Sequence, residues 1–137
     1  DKTGVDPKYL ELEITERTAM DNIKYTMNSL DRLKECGTKI AIDDFGTGYS
    51  SLSYLNQFAI DTLKIDKSFI DNYPDIPDSK AIVDSIITIG HNLNLEVVAE
   101  GVETEKQRKA LEKNNCDIMQ GYHFSRPLPP DDLSSNI

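Results

Sequence analysis

The sequence predicts an α/β fold built from repeated parallel βα units. Three observations carry that reading. Five short apolar or alternating segments are separated by segments with helical periodicity. Their polar ends, at Glu13, Asp43-Asp44, Asp66, Glu100 and Gln120, recur every 20 to 34 residues, which is the length of a strand plus a crossover helix. Each end presents a side chain capable of chemistry, and the C-terminal strand ends are where sites form in (β/α) barrels and in open parallel sheets alike.

Residues 1–8 are polar, contain Gly4 and Pro7, and predict a lead-in loop. Tyr9 to Thr15 alternates with period two and predicts a strand, with Leu10, Leu12 and Ile14 on one face and Glu11 and Glu13 on the other. From this segment alone, the plainer account of the two acids is a solvated edge strand. Residues 17–36 predict one helix, with Ile23, Met27, Leu30 and Leu33 at helical spacing, Met20 and Met27 as core filler, and Gly37 as the C-terminal cap. Thr38 to Ile42 predicts the second strand, running into Asp43-Asp44. Ser50 or Ser51 then caps a short helix carrying Leu52, Leu55 and Phe58.

Ile60 to Asp66 predicts the third strand, with Leu63 and Ile65 facing one way and Lys64 and Asp66 the other. Residues 71–78, with Pro74 and Pro77, predict a loop, and Asp78 or Ser79 caps a helix bearing Ile82, Val83, Ile86, Ile87 and Leu93. His91 near its end reads as structural. Glu96 to Glu100 is the continuous apolar run of a strand covered on both faces. Thr104 and Gln107 fit a capping box at the head of a helix that runs to about Asn114 and turns Ala110 and Leu111 inward. Asp117 to Gly121 predicts a short fifth strand, Tyr122 to Pro130 a proline-rich loop, and residues 131–137 the start of another helix.

The 137 residues suffice for one domain with a real core. A net charge of −9 argues against duplex nucleic acid as a partner, since that needs a basic footprint. No apolar run reaches membrane-spanning length, and the chain carries no signal-peptide pattern. Its first residue, Asp1, points to a piece of a longer protein. Cys36 and Cys116 have no metal-ligand spacing and read as unpaired thiols of a reducing compartment.

The acids narrow the chemistry. Adjacent carboxylates such as Asp43 and Asp44 at the end of a buried strand repel each other unless a proton or cation lies between them. Several carboxylates without matching His or Cys ligands favour Mg²⁺ or Mn²⁺ over zinc. Paired aspartates can bridge two metals about 3.5–4 Å apart, and a lysine at the same rim can neutralise a phosphate oxygen or orient water. No serine or cysteine occupies a nucleophile elbow. Gly46-Thr47-Gly48 is a weak dinucleotide signal, because the third glycine position holds Ser51, and no Walker loop is present. The inference is metal-assisted hydrolysis of a phosphate ester by water, with a generic metal-dependent barrel enzyme as the loosest version of it.

Five segments together give a sharper identification: Leu12-Glu13-Ile14-Thr15-Glu16, Asp43-Asp44-Phe45-Gly46-Thr47-Gly48-Tyr49-Ser50-Ser51-Leu52, Leu63-Lys64-Ile65-Asp66, Ala99-Glu100-Gly101-Val102-Glu103-Thr104 and Gln120-Gly121-Tyr122. In kind and order they resemble the EAL-domain family of cyclic di-GMP phosphodiesterases. The resemblance implies a (β/α) TIM-barrel-like fold, of which five βα units, residues 1–137, form about the C-terminal half. It implies Mg²⁺- or Mn²⁺-dependent hydrolysis of cyclic di-GMP to linear pGpG in bacterial signalling, with Ca²⁺ allowing binding but not turnover.

Residue by residue, Glu13, Asp43 and Asp44 match metal ligands, and Gln120 matches a polar residue of the metal and substrate site. Lys64 matches the lysine near the catalytic water, and Glu100 the glutamate that acts as base or positions metal and water. Asp66 and Glu103 are secondary matches. Glu16 matches the glutamate that steadies the loop after Asp44, which includes Gly46 and Gly48. The family's Glu-Ala-Leu motif and the asparagine of its following strand, both metal ligands, would lie upstream of this sequence. These residues alone are therefore expected to be impaired or inactive. A cyclic di-GMP receptor or partner-binding scaffold is the alternative. The resemblance further implies a homodimer formed near the short helix after the glycine loop, sensory or GGDEF domains upstream, and a cytoplasmic setting.

Overall fold

A computed structural model describes residues 4–47 and 52–129. The expectations for Gly48, for a cap at Ser50 or Ser51 and for a helix over 131–137 lie outside the described residues. The elements are β1 (Glu11–Thr15), α1 (Glu16–Asp21), α2 (Ile23–Glu35), β2 (Lys39–Phe45), α3 (Leu52–Leu55), β3 (Thr62–Ile65), α4 (Lys67–Ile70), α5 (Pro77–Asn92), β4 (Glu96–Glu100), α6 (Glu105–Lys113) and β5 (Ile118–Gln120). The five strands pair in sequence order and every pair is parallel, so the expected α/β architecture is present.

Register sorts the side chains. Glu13 lies beside Ala41, Ala41 beside Thr62, Lys64 beside Val98, and Glu100 beside Gln120. Because successive residues alternate between faces, the acids and Lys64 share one face of the sheet. Ile40, Ile42, Leu63, Ile65, Val97 and Ala99 line the other, where they form a core with Leu30, Val83, Ile86, Ile87 and Leu111 of the helices. Val97, Val98 and Ala99 are all buried, as the continuous apolar run of β4 requires.

Three local expectations are corrected. The helix expected over 17–36 is two helices. Thr15 caps α1 by accepting the Thr18 N–H, and Asn22 leaves helical geometry to accept the Tyr25 N–H and start α2. A short polar side chain that bonds nearby backbone competes with the helix ladder, and here it wins. The helix expected to be capped at Asp78 or Ser79 instead begins at Pro77, after an Ile76 with no side-chain cap bond. Proline is pre-set for that first position, where its missing N–H is no loss. The segment after β3 also holds a helix, α4, because Asp66 accepts the Ser68 N–H and caps it.

Two carboxylates fasten the N-terminal end of the sheet. Asp61 accepts the Ile40 N–H at 2.9 Å and takes both bonds of Lys34, at 2.6 and 2.8 Å. Asp117 accepts the Val97 N–H at 2.8 Å and lies 2.9 Å from His91 Nε2, giving that histidine its structural role. Burial opposes the charge on Asp117, but the Val97 N–H and His91 outweigh it and hold the carboxyl below the usual range. Thr104 and Gln107 form the expected capping box, and Gln107 also donates to the Ile70 carbonyl. Cys36 is exposed, Cys116 is buried, and neither is in a disulfide. Among the described residues no helix is long and apolar enough to cross a membrane.

Strand β1 is an edge of the sheet among the described residues. Leu10 and Leu12 are 45% and 41% exposed, and an apolar hollow of about 530 Å³ opens between β1 and α2. At the other side of the molecule the packing is tight. A Cβ on Gly90 of α5 would stand 2.4 Å from Val97 Cγ2. Gly90→Ala is expected to lower stability by about 1–3 kcal/mol through overpacking. Adding Val97→Ala should recover part of that loss, so the pair costs less than the sum of the single changes in urea unfolding. Strict additivity would show that the contact is not limiting.

Candidate functional site

The C-terminal rim begins with an irregularity. Ile42 pairs with Leu63 and Phe45 with Ile65, so β2 uses one residue more than β3 over the same span. This bulge holds Asp43 and Asp44, and Asp44 has φ +54°. In a regular strand two adjacent side chains point to opposite faces; a bulge re-aims one of them. Asp43 Oδ1 comes within 3.4 Å of Lys64 Nζ and accepts the Asp44 N–H. Asp44 feels Asp43, Asp66 and Lys64 together. Phe45 returns to the core.

The turn after the bulge is held from below. Glu16, 2% exposed, accepts the Gly46 N–H at 2.8 Å. Gly46 has φ +96°, and a Cβ there would meet the Phe69 ring at 2.9 Å, so both backbone geometry and space demand glycine. Glu16 thus bonds the backbone of the turn two residues after Asp44.

Lys64 is the centre of the rim. Its Nζ lies 2.6 Å from Glu13 Oε1 and 2.7 Å from Glu100 Oε1, besides the contact with Asp43. Burial alone would lower its pKa, but hydrogen bonds to Glu100 and Glu13 and the charge of Asp43 prevail, and it is held well above the ordinary lysine range. Glu13 is half exposed on an edge strand, as the solvated-edge account has it, but its carboxylate also reaches across β2, over the small Ala41, to an ion pair on β3. One layer below, Thr62 donates to Glu11 across the same gap at 3.0 Å.

Gln120 ends β5 directly beside Glu100. The other two expected residues sit outward of this cluster. Asp66 caps α4 and faces Asp44, while Glu103 takes Lys67 Nζ at 2.5 Å. Lys67 is the rim residue that the sequence reading missed. It lines a hollow of about 260 Å³ with Glu100, Gln120 and Tyr122, and its stem crosses Gly101, where a Cβ would be 2.4 Å from Lys67 Cγ. The available signal was its place directly after the acid that closes β3.

The donors at the rim are carboxylate and amide oxygens, which suit hard divalent cations. Among the described residues no three His, Cys, Asp or Glu side chains gather closely enough to hold a metal by themselves. What Glu13, Asp43 and Glu100 have in common is the ammonium of Lys64. The set thus fits a cation in its chemistry and converges on one in its geometry.

Comparison with known proteins bears on the chain as a whole. The EAL domain family model matches residues 1–127. The signaling protein YkoW of Bacillus subtilis is 49% identical over 136 residues, covering 99% of this chain and 17% of its own. NbdA of Pseudomonas aeruginosa, named a cyclic di-GMP phosphodiesterase, is 49% identical over 129 residues, covering 94% of this chain and 16% of its own. The structure of the PaMucR phosphodiesterase in complex with c-di-GMP matches with a TM-score of 0.93 at 44% identity, over 96% of this chain and 53% of that one. Klebsiella pneumoniae BlrP1, solved with c-di-GMP and manganese and again with calcium, matches at 0.85 and 36%, over 92% and 32%. The chain spans about half of the PaMucR structure and under a fifth of the two curated relatives.

The acids at the bulge have a measurable signature. Burial, and then repulsion from Asp43 and Asp66, raises the Asp44 carboxyl above its ordinary value. A carboxyl raised on folding destabilises the fold above that raised pKa, and the effect disappears below the unfolded value near 3.8. Asp44→Asn, which tolerates positive φ, is therefore expected to raise the melting temperature of the metal-free protein at pH 7. The gain should vanish as pH falls below 3.8. Equal melting at neutral pH would refute the repulsion.

Proposed function

The chain belongs to the EAL domain family, and on that premise we propose that it is the C-terminal part of a domain that hydrolyses cyclic di-GMP to linear pGpG with Mg²⁺ or Mn²⁺. The observation that carries this reading is the convergence of β1, β2 and β4 acids on a β3 lysine at one rim. Glu13, Asp43, Asp44 and Gln120 would hold the divalent ions. Bound there, such ions would polarise the phosphodiester and make water a stronger nucleophile.

The chain's own groups do the rest. Glu100 orients the attacking water and takes its proton on the carboxylate. The Lys64 ammonium faces the negative charge that gathers on the phosphoryl oxygens as the P–O bond to the ribose breaks, and the departing ribose oxygen takes a proton from water. Glu16 keeps Asp44 in place through the Gly46 N–H. Asp66 and Glu103 act from the outer rim, the first by setting α4 and facing Asp44, the second by anchoring Lys67. A homodimer near α3, further sensory or GGDEF domains, and a bacterial cytoplasmic setting complete the proposal. It is supported by the family and by the small share of each curated relative that this chain spans.

A (β/α) barrel takes about 250 residues, so these 137 residues should not complete the metal site alone. Cyclic di-GMP turnover in Mg²⁺ or Mn²⁺ is expected from a longer chain that includes the upstream half of the domain. The 137 residues alone should be slower by roughly 100-fold or more. Equal rates would overturn the incompleteness. Tight binding without turnover by the longer chain, in Mg²⁺ as in Ca²⁺, would assign a receptor instead, and no binding would refute cyclic di-GMP as ligand.

Glu16→Ala in the longer chain is expected to weaken Mg²⁺ binding by about tenfold, measured by calorimetry, although no ligand is removed. Unchanged affinity would show that the Gly46 bond does not position Asp44.

A further inference from the structure

An ammonium has three N–H donors and no acceptor. Lys64 directs its ammonium at three carboxylates, those of Glu13 on β1, Asp43 on β2 and Glu100 on β4. With its side chain 9% exposed, it has little contact with water. In this state Glu13 and Glu100 take N–H donors at 2.6 and 2.7 Å, and Asp43 adds a charge contact at 3.4 Å, so the ammonium is engaged by protein carboxylates. The carboxylate oxygens it holds are likewise turned toward it.

The stem has little freedom. Lys64 sits in a strand whose four residues are all buried, with Val98 beside it in register and Ala41 separating it from Glu13. The charge therefore cannot leave the rim when another cation arrives; it can only change partners. A divalent ion and an ammonium competing for the same oxygens repel each other strongly at such distances.

We propose that Lys64 is the resident counter-ion of the metal-free site, which divalent cations displace from Glu13 and Asp43 as they load. This rests on the reading that these acids are metal ligands. Before loading, the lysine's charge opposes the repulsion among the three acids. After loading it keeps Glu100 and gains free N–H donors directed at the rim. Metal binding thus arms the lysine for a phosphate, and the order of events is metal first, phosphodiester second.

The test uses the full-length protein labelled with ¹⁵N at lysine Nζ. A slowly exchanging ammonium resonance, assigned to Lys64 by its loss in Lys64→Met, is expected in the metal-free state. It should shift or broaden into water exchange as Mg²⁺ is titrated to saturation. Calorimetry supplies the second readout: with the competing charge removed, Lys64→Met should bind Mg²⁺ on the order of tenfold more tightly than wild type, and its metal-free form should melt lower. A variant that folds only in Mg²⁺ supports the same conclusion. A Lys64 resonance that does not move at saturating Mg²⁺, or equal or weaker Mg²⁺ affinity in Lys64→Met, overturns the proposal while leaving the phosphodiesterase reading intact. No Mg²⁺ binding by wild type overturns the metal reading, and this proposal with it.

Discussion

Like charges can be crowded at one end of a sheet only if something opposes their repulsion, and here that is one lysine. Lys64 projects from the most buried strand to meet acids from both sides. The sheet order places β3 between β2 and β4, so only its side chain can serve acids on both flanks as well as Glu13 beyond Ala41. Removing charge from this position changes the electrostatics of three strands at once. The small residue at Ala41 and the apolar Val98 are part of the same device, since larger or polar groups there would intercept the contacts.

The register of the strands is as important as their charges. Alternation by two decides which residues face the rim and which face the helices, and a slip of one residue would exchange Lys64 for Leu63 or Ile65. Among the described residues the bulge in β2 is the departure from that rule, and it lies where two acids are adjacent. Its extra residue and the positive φ of Asp44 cost local order, and the Glu16 bond beneath Gly46 offsets part of that cost.

Much of this was legible in the sequence. Strand ends were visible because each combines apolar alternation with a terminal acid or amide, and the capping box of α6 because Thr104 and Gln107 stand at the required spacing. The break at Asn22 was hidden, because apolar periodicity continues across it while a side-chain bond interrupts the backbone ladder. The bulge was hidden for a related reason: an inserted residue leaves no mark in a run as short as Ile40 to Phe45. Glu13 could be placed on a face but not paired, since its partner lies 51 residues away, two strands over. Lys67 resembled any exposed lysine until Gly101 showed how its stem is seated. Leu10 and Leu12 are exposed because β1 is an edge of the sheet among the described residues, which their apolar character does not reveal.

The two acid fastenings at the far end of the sheet correspond step for step. Asp61 immediately precedes β3 and accepts the N–H of the second residue of β2; Asp117 immediately precedes β5 and accepts the N–H of the second residue of β4. In each case the side-chain partner, Lys34 or His91, comes from the helix that leads into the accepting strand. At the rim the likeness continues, with an acid followed by a left-handed residue in Asp43-Asp44 and in Glu100-Gly101. β2–β3 and β4–β5 are thus two renderings of one structural module. Lys64 stands on the seam between them, where an approximate internal symmetry brings equivalent acids to it from either side, and the asymmetry that makes a site lies in Asp44 against Gly101 and in Lys64 itself against Gln120.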